Sequence, residues 1–201
     1  IPLLIVPDID FKITKPTQSI VLKMMKSAPI AAGAVFVAGY MEMAVLSLLP
    51  IYAIQMGLET SEALVLLSFF AIGGFLFQPL VGWISDKLPL AALVSMVTAI
   101  SILITLFIPA SLNSPFLAAP LLFVWGGAIV GYYTLAMIFL GQRFEGSELT
   151  SATSMLVVAY TCGMVSGPLL CSVGMKVSNE YGLLIMLTIL PIIFIMLLLA
   201  K

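Results

Sequence analysis

One carboxylate stands apart in this chain. Within "AVFVAGYMEMAVLSLLPIYAI", Glu42 is the only charged residue between Ser27 and Leu58. An ionised carboxyl at bilayer depth costs roughly 2.5 to 3.5 kcal/mol on insertion scales, so such a group must face a cavity, find a partner or carry a proton. The chemistry open to Glu42 is therefore proton loading and release, or the binding of a cation. The plainer reading is a protonated glutamate hydrogen-bonded inside a helix bundle. Gln78 precedes Pro79, which leaves a carbonyl one turn earlier without its donor; the amide either answers that carbonyl or faces a solute. In "WGGAIVGYYT", Trp125, Tyr132 and Tyr133 are amphipathic rings able to stack on a ligand, although such rings more often pack or anchor. Tyr160 precedes Gly163 by one turn. The spacing of Gly163 and Gly167, followed by Pro168, reads first as a helix-packing surface.

Several chemistries are excluded by what the chain lacks. It contains no histidine, so there is no imidazole to serve as base, shuttle or metal ligand. No metal-ligand cluster, phosphate-cradling loop or nucleophile with a plausible base is present, and no catalytic residue, metal or cofactor is expected. Cys162 and Cys171 are nine residues apart, on opposite faces of one helix at 100° per residue, and cannot bridge each other. A net charge of −1 without a basic tract gives nucleic acid nothing to bind.

The elements that hold these groups follow from composition. Hydrophobic residues make up 62 % and charged residues 8 %, with a mean hydropathy of +1.24, against roughly a quarter charged in soluble domains. Residues 63–85, 88–142, 149–175 and 181–200 contain no charge, and a helix needs about 20 apolar residues to cross a bilayer. The long run 88–142 is broken by "PASLNSP", which reads as a turn. Six spans result, at about 28–55, 63–85, 90–108, 115–140, 150–175 and 182–200, forming a bundle over 27–201. Residues 1–26, with Pro2, Pro7 and Pro16, read as an inner linker or interfacial segment. Because the chain starts at Ile1 without a signal-peptide pattern, it reads as a fragment.

An even number of spans puts both ends on one side. With those ends inside, Lys12, Lys15, Lys23, Lys26, Lys87, Arg143 and Lys201 all lie inside, leaving only Lys176 outside. That asymmetry supports both the count and the cytoplasmic termini. "GFLFQPLVG" from Gly74 also aligns with "GMVSGPLLC" from Gly163. Each lies on the second helix of a group of three, as in an inverted 3+3 repeat.

Two motifs now carry a family resemblance. "GWISDK", Gly82 to Lys87, resembles the G-x-x-x-D-R/K loop between the second and third helices of each half of a major facilitator superfamily transporter, although "LPL" replaces the usual continuation. "GMVSGP", Gly163 to Pro168, resembles the G-x-x-x-G-P core of that family's antiporter motif. The resemblance covers about residues 20–201 and implies the C-terminal six-helix half of a twelve-helix fold. It also implies a small-molecule solute path with Glu42 as proton-coupling or substrate residue and Gln78, Trp125, Tyr132 and Tyr160 along it. Gly82, Asp86, Lys87 and Arg143 would form an inner gate, with Asp86 alternatively capping the helix that opens near Pro89. The implied partners are the lipid bilayer of a cell membrane, protons, and a missing N-terminal half or second copy. The competing expectation is a membrane scaffold or receptor module that transports nothing.

Overall fold

The computed structural model describes residues 26–200. It forms six helices: α1 (Pro29–Gln55), α2 (Thr60–Ser85), α3 (Leu90–Leu112), α4 (Pro115–Arg143), α5 (Gly146–Val177) and α6 (Gly182–Leu199). The segment expected to be a linker lies outside the described residues except for Lys26, as do Lys12, Lys15, Lys23 and Lys201. All six helices are long and apolar enough to cross a membrane. Even α6, with 18 residues, reaches about 27 Å at 1.5 Å per residue. The chain is an all-α, multi-pass integral membrane protein, as its charge-free runs predict.

Local chemistry moves some boundaries. α2 starts at Thr60 because Glu59 and Glu62 form a reciprocal capping box, with the Glu59 N–H donating to Glu62 Oε2 at 3.1 Å. Part of the polar break "GLETSE" thereby becomes the first turn of a helix. α3 runs through Pro109 to Leu112, so the turn expected from "PASLNSP" shrinks to Asn113 and Ser114. Its N-cap is Pro89 with no side-chain cap bond, which removes the capping role considered for Asp86. Every helix contains an internal proline: Pro50, Pro79, Pro109, Pro120, Pro168 and Pro191. Neighbouring helices in a membrane bundle tolerate such breaks.

In lipid, helices gain little by hiding apolar surface from water, and close packing through small residues takes over. The two most extensive helix contacts are α2 on α4 and α1 on α5. Both are backbone-to-backbone crossings at glycines. A Cβ on Gly73 would overlap the Phe123 carbonyl, and one on Gly126 would overlap the Phe70 carbonyl and lie 3.0 Å from Gly74 N. In the other crossing, a Cβ on Gly39 would overlap the Tyr160 carbonyl, and one on Gly163 would overlap Phe36 O and lie 2.8 Å from Tyr40 N. Gly167 meets the Tyr40 carbonyl in the same way. The offset that aligns Gly74 with Gly163 exchanges α1 with α4 and α2 with α5, so it carries one crossing onto the other. α3 packs on α4 and α6, away from the two crossings.

Polar side chains stitch α1 to α6 and to the turn before it. The Tyr40 hydroxyl donates to the Met186 carbonyl at 3.0 Å and accepts from Cys171 Sγ at 3.4 Å. The Tyr52 hydroxyl donates to the Glu180 carbonyl at 2.8 Å. Cys162 is exposed, Cys171 is buried and both are free thiols.

Candidate solute cleft

The two crossings flank a cleft of about 520 Å³, inside the roughly 300 to 1,000 Å³ typical of small-molecule sites. α1 contributes Glu42, α2 contributes Gln78 with Phe70 and Phe75, α4 contributes Tyr133, and α5 contributes Tyr160. Glu42 lies midway between Pro29 and Gln55, about 20 Å from either end of its helix. It follows Gly39 by one turn, as Tyr160 precedes Gly163 by one turn, so both side chains spring from the flanks of one glycine crossing.

The Tyr160 hydroxyl donates to Glu42 Oε2 at 2.8 Å. Its ring meets Tyr133 edge to face, with centroids 5.3 Å apart and planes at 67°. Tyr160 also packs against both apolar clusters of the bundle, which holds the phenol in place beneath the carboxyl. A carboxyl group offers about four lone-pair positions, so this single bond leaves Oε1 and part of Oε2 open for a proton or a cation. Among the described residues, no lysine or arginine lines the cleft. Among the described residues, no group of three or more potential metal ligands exists.

The structure brings Glu42, Gln78 and Tyr160 together but not the other two path candidates. Trp125 and Tyr132 are 0 % exposed. Trp125 packs edge-on against Phe70 at 5.9 Å and Tyr132 against Phe194 at 6.3 Å. The Tyr132 hydroxyl faces Thr98 and Ser101 of α3 without a well-formed hydrogen bond, and Trp125 Nε1 likewise has no partner. Tyr133 reaches the cleft where Tyr132 does not. A signal for this was present: Tyr133 stands seven residues after Gly126, and thus on the crossing face of α4, whereas Tyr132 stands seven after buried Trp125. Gln78 is exposed and lines the cleft, so its amide is turned outward instead of back onto its own helix.

The gate candidates gather at helix ends. Gly82 sits in the last turn of α2, Asp86 caps it, and Arg143 ends α4. The Lys87 ammonium lies 3.3 Å above the Trp83 ring centroid, and the Arg143 guanidinium lies 5.7 Å from the Phe139 ring. A Cβ on Gly82 would meet nothing within 4 Å, and Asp86 is exposed. Within the described residues these groups contact their own helices and do not dock on a neighbour. Gly163 and Gly167 lie in the α1 crossing, and Pro168 stands inside α5 just beyond it.

Six apolar spans, paired by glycine crossings around a mid-span carboxylate, make a multi-pass membrane bundle. The sequence profile of the Major Facilitator Superfamily matches residues 32–201, and the chain belongs to that family. It is 25 % identical over 130 residues to the "Uncharacterized MFS-type transporter YfkF" of Bacillus subtilis, covering 65 % of this chain and 33 % of the relative. It is 22 % identical over 176 residues to the "Uncharacterized MFS-type transporter YE1530" of Yersinia enterocolitica, covering 88 % and 45 %. A similar match, 22 % over 175 residues and 87 % and 45 % coverage, joins it to the "Uncharacterized MFS-type transporter YcaD" of Escherichia coli. The chain thus spans less than half the length of these relatives. No solved structure matches significantly.

Proposed function

We propose that this chain is the six-helix C-terminal half of a secondary active transporter, moving a small organic solute by alternating access. Six further helices, from a preceding half or a second copy, would face the cleft and complete the path. Residues 27–201 then form the transport bundle, with both termini on the cytoplasmic side of a cell membrane, the side favoured by the basic residues. Gly82, Asp86, Lys87 and Arg143, which gather at helix ends, would meet the other half at an inner gate. The observation that carries the reading is the mid-span Glu42 carboxyl, tied among the described residues only to Tyr160, at 2.8 Å, while bordering an open cleft. In that position it can load and release a proton as access alternates.

The test uses the full-length protein that contains this chain, reconstituted in proteoliposomes under an imposed pH gradient. Glu42→Gln is expected to lower proton-driven solute flux at least tenfold. Undiminished flux would remove Glu42 from the mechanism. In a Cys162→Ser background, Gln78→Cys should react with a membrane-impermeant thiol reagent and lose reactivity when solute is added. An unreactive Gln78→Cys in otherwise intact protein would favour the scaffold reading.

A further inference from the structure

Resting on that transport reading, we infer that the cleft takes an amphipathic organic monocation: an ammonium or phosphonium centre carried on an apolar body. The charge inventory points this way first. Glu42 can carry a charge in the cleft, and among the described residues no lysine or arginine lines it. An anionic solute would therefore meet only like charge on this wall, and anions are disfavoured here on electrostatic grounds. A bare metal ion fits poorly as well. Hard divalent cations take about six or more oxygen ligands, whereas this wall offers one carboxylate, two phenols and one amide.

The walls then narrow the organic candidates. A polyol needs a polar partner for nearly every hydroxyl it desolvates, yet Phe70, Ala71, Phe75 and Val130 make much of the lining apolar. One of the two phenols is already committed to Glu42. An organic cation asks for the reverse mixture, with one counter-ion, aromatic surface and otherwise apolar contact. The Tyr133 and Tyr160 rings, edge to face beside the carboxylate, supply the aromatic surface that stabilises a partly desolvated cation. Tyr160 acts as a positioning residue, because its hydroxyl fixes Oε2 and leaves Oε1 for the ligand.

Charge balance makes the site an exchanger. When the cation binds to the protonated acid, the carboxyl proton leaves to water and the carboxylate–cation pair replaces the neutral acid, so the net charge in the cleft is unchanged. The titratable groups facing Glu42 from the packed helices are Tyr133 of α4 and Tyr160 of α5. α2 offers the uncharged Gln78, and α6 carries no titratable residue. Among the described residues, no other carboxylate lines the cleft.

The experiment measures equilibrium binding of tetraphenylphosphonium to the purified full-length protein, beside uncharged triphenylphosphine oxide. The expected result is saturable cation binding that is at least tenfold tighter than that of the uncharged compound. It should weaken with acidification, as protons compete for the same carboxylate. Glu42→Gln should lose at least tenfold in affinity, Glu42→Asp should stay within a few-fold, and Tyr160→Phe should lose a few-fold because its ring remains. Equal binding of the two compounds, no saturable binding, or undiminished affinity in Glu42→Gln would overturn the inference. Should Glu42→Gln fail to fold, a tenfold loss or more in the charge-preserving Glu42→Asp together with no pH dependence in the wild type would overturn it too. Binding without any flux in proteoliposomes would sink the transport reading and leave the cation site standing. Flux of other solutes without cation binding would do the opposite.

Discussion

The α1/α5 and α2/α4 crossings are built alike and equipped differently. Each brings two helix backbones together at glycines: Gly39, Gly163 and Gly167 in one, Gly73, Gly74 and Gly126 in the other. Each includes a helix with a proline five residues past the aligned glycine, Pro168 and Pro79. Their side chains then diverge. At the 89-residue offset, Glu42 corresponds to Gly131 and Tyr160 to Ala71, so the acid–phenol pair of the first crossing has no polar counterpart in the second. Gly131 sits where an added Cβ would touch only Val81 and Val97 methyl groups, at 3.5 and 3.6 Å. The packing is duplicated and the chemistry is not. Glu42 is therefore unnecessary for making a crossing of this kind, which is the structural reason for reading it as functional.

The largest effects should come from the feature the two crossings share. Gly163→Ala and Gly126→Ala each push a methyl group into a facing backbone carbonyl, and backbone cannot rotate away as a side chain can. Overpacking costs roughly 1 to 3 kcal/mol where side chains can adjust, and both substitutions should reach at least the top of that range. Gly131→Ala, which meets only ordinary contacts, should change stability by less than about 1 kcal/mol. Thermal unfolding of the detergent-solubilised full-length protein measures all three. If Gly163→Ala is severe and Gly126→Ala benign, the two crossings are not equivalent and the comparison breaks.

The next effect in size separates packing from chemistry. Glu42→Leu removes a carboxyl whose placement at this depth costs roughly 2.5 to 3.5 kcal/mol on insertion scales, along with one hydrogen bond worth about 1 kcal/mol. The net expectation is a bundle more stable by about 1.5 to 2.5 kcal/mol and, on the proposed reading, flux that no longer couples to protons. Unfolding midpoint and flux should thus move in opposite directions. A Glu42→Leu protein that unfolds earlier than the wild type would mean that the acid holds the α1/α5 crossing together.

How much of this was legible in the sequence depends on the range of the interaction. The spans follow from charge-free runs because desolvation acts on each segment by itself, and the Gly74/Gly163 alignment already marked the two crossings. Glu42 was conspicuous for the same local reason. Its hydrogen-bond partner was not, since Tyr160 lies 118 residues away and only the α1/α5 crossing brings the two together. Adjacent Tyr132 and Tyr133 were legible only through the seven-residue spacing from Gly126 and Trp125. They differ by 100° on α4, which is enough to send one ring into the core and the other into the cleft, and the choice rests on where α2 and α3 pack. The capping box at Glu59 was readable in principle, but the polar run around it masked the helix start.

The smallest expected effect bears on the end of α2, where the comparison reaches past this chain. Gly82 is a helical glycine with open space where its Cβ would be, unlike Gly73 and Gly126, whose missing side chains let backbones touch. Among the described residues nothing requires glycine there, and alanine is the better helix former by up to about 1 kcal/mol in water. Gly82→Ala should therefore leave the unfolding midpoint unchanged or slightly raised. Transport decides what that means. If another six-helix unit closes against this end, a methyl at position 82 lies in the contact, and flux should fall a few-fold while stability holds. If flux and stability both stay at wild-type values, Gly82 is a surface position, and the inner gate must rest on Asp86, Lys87 and Arg143 without it.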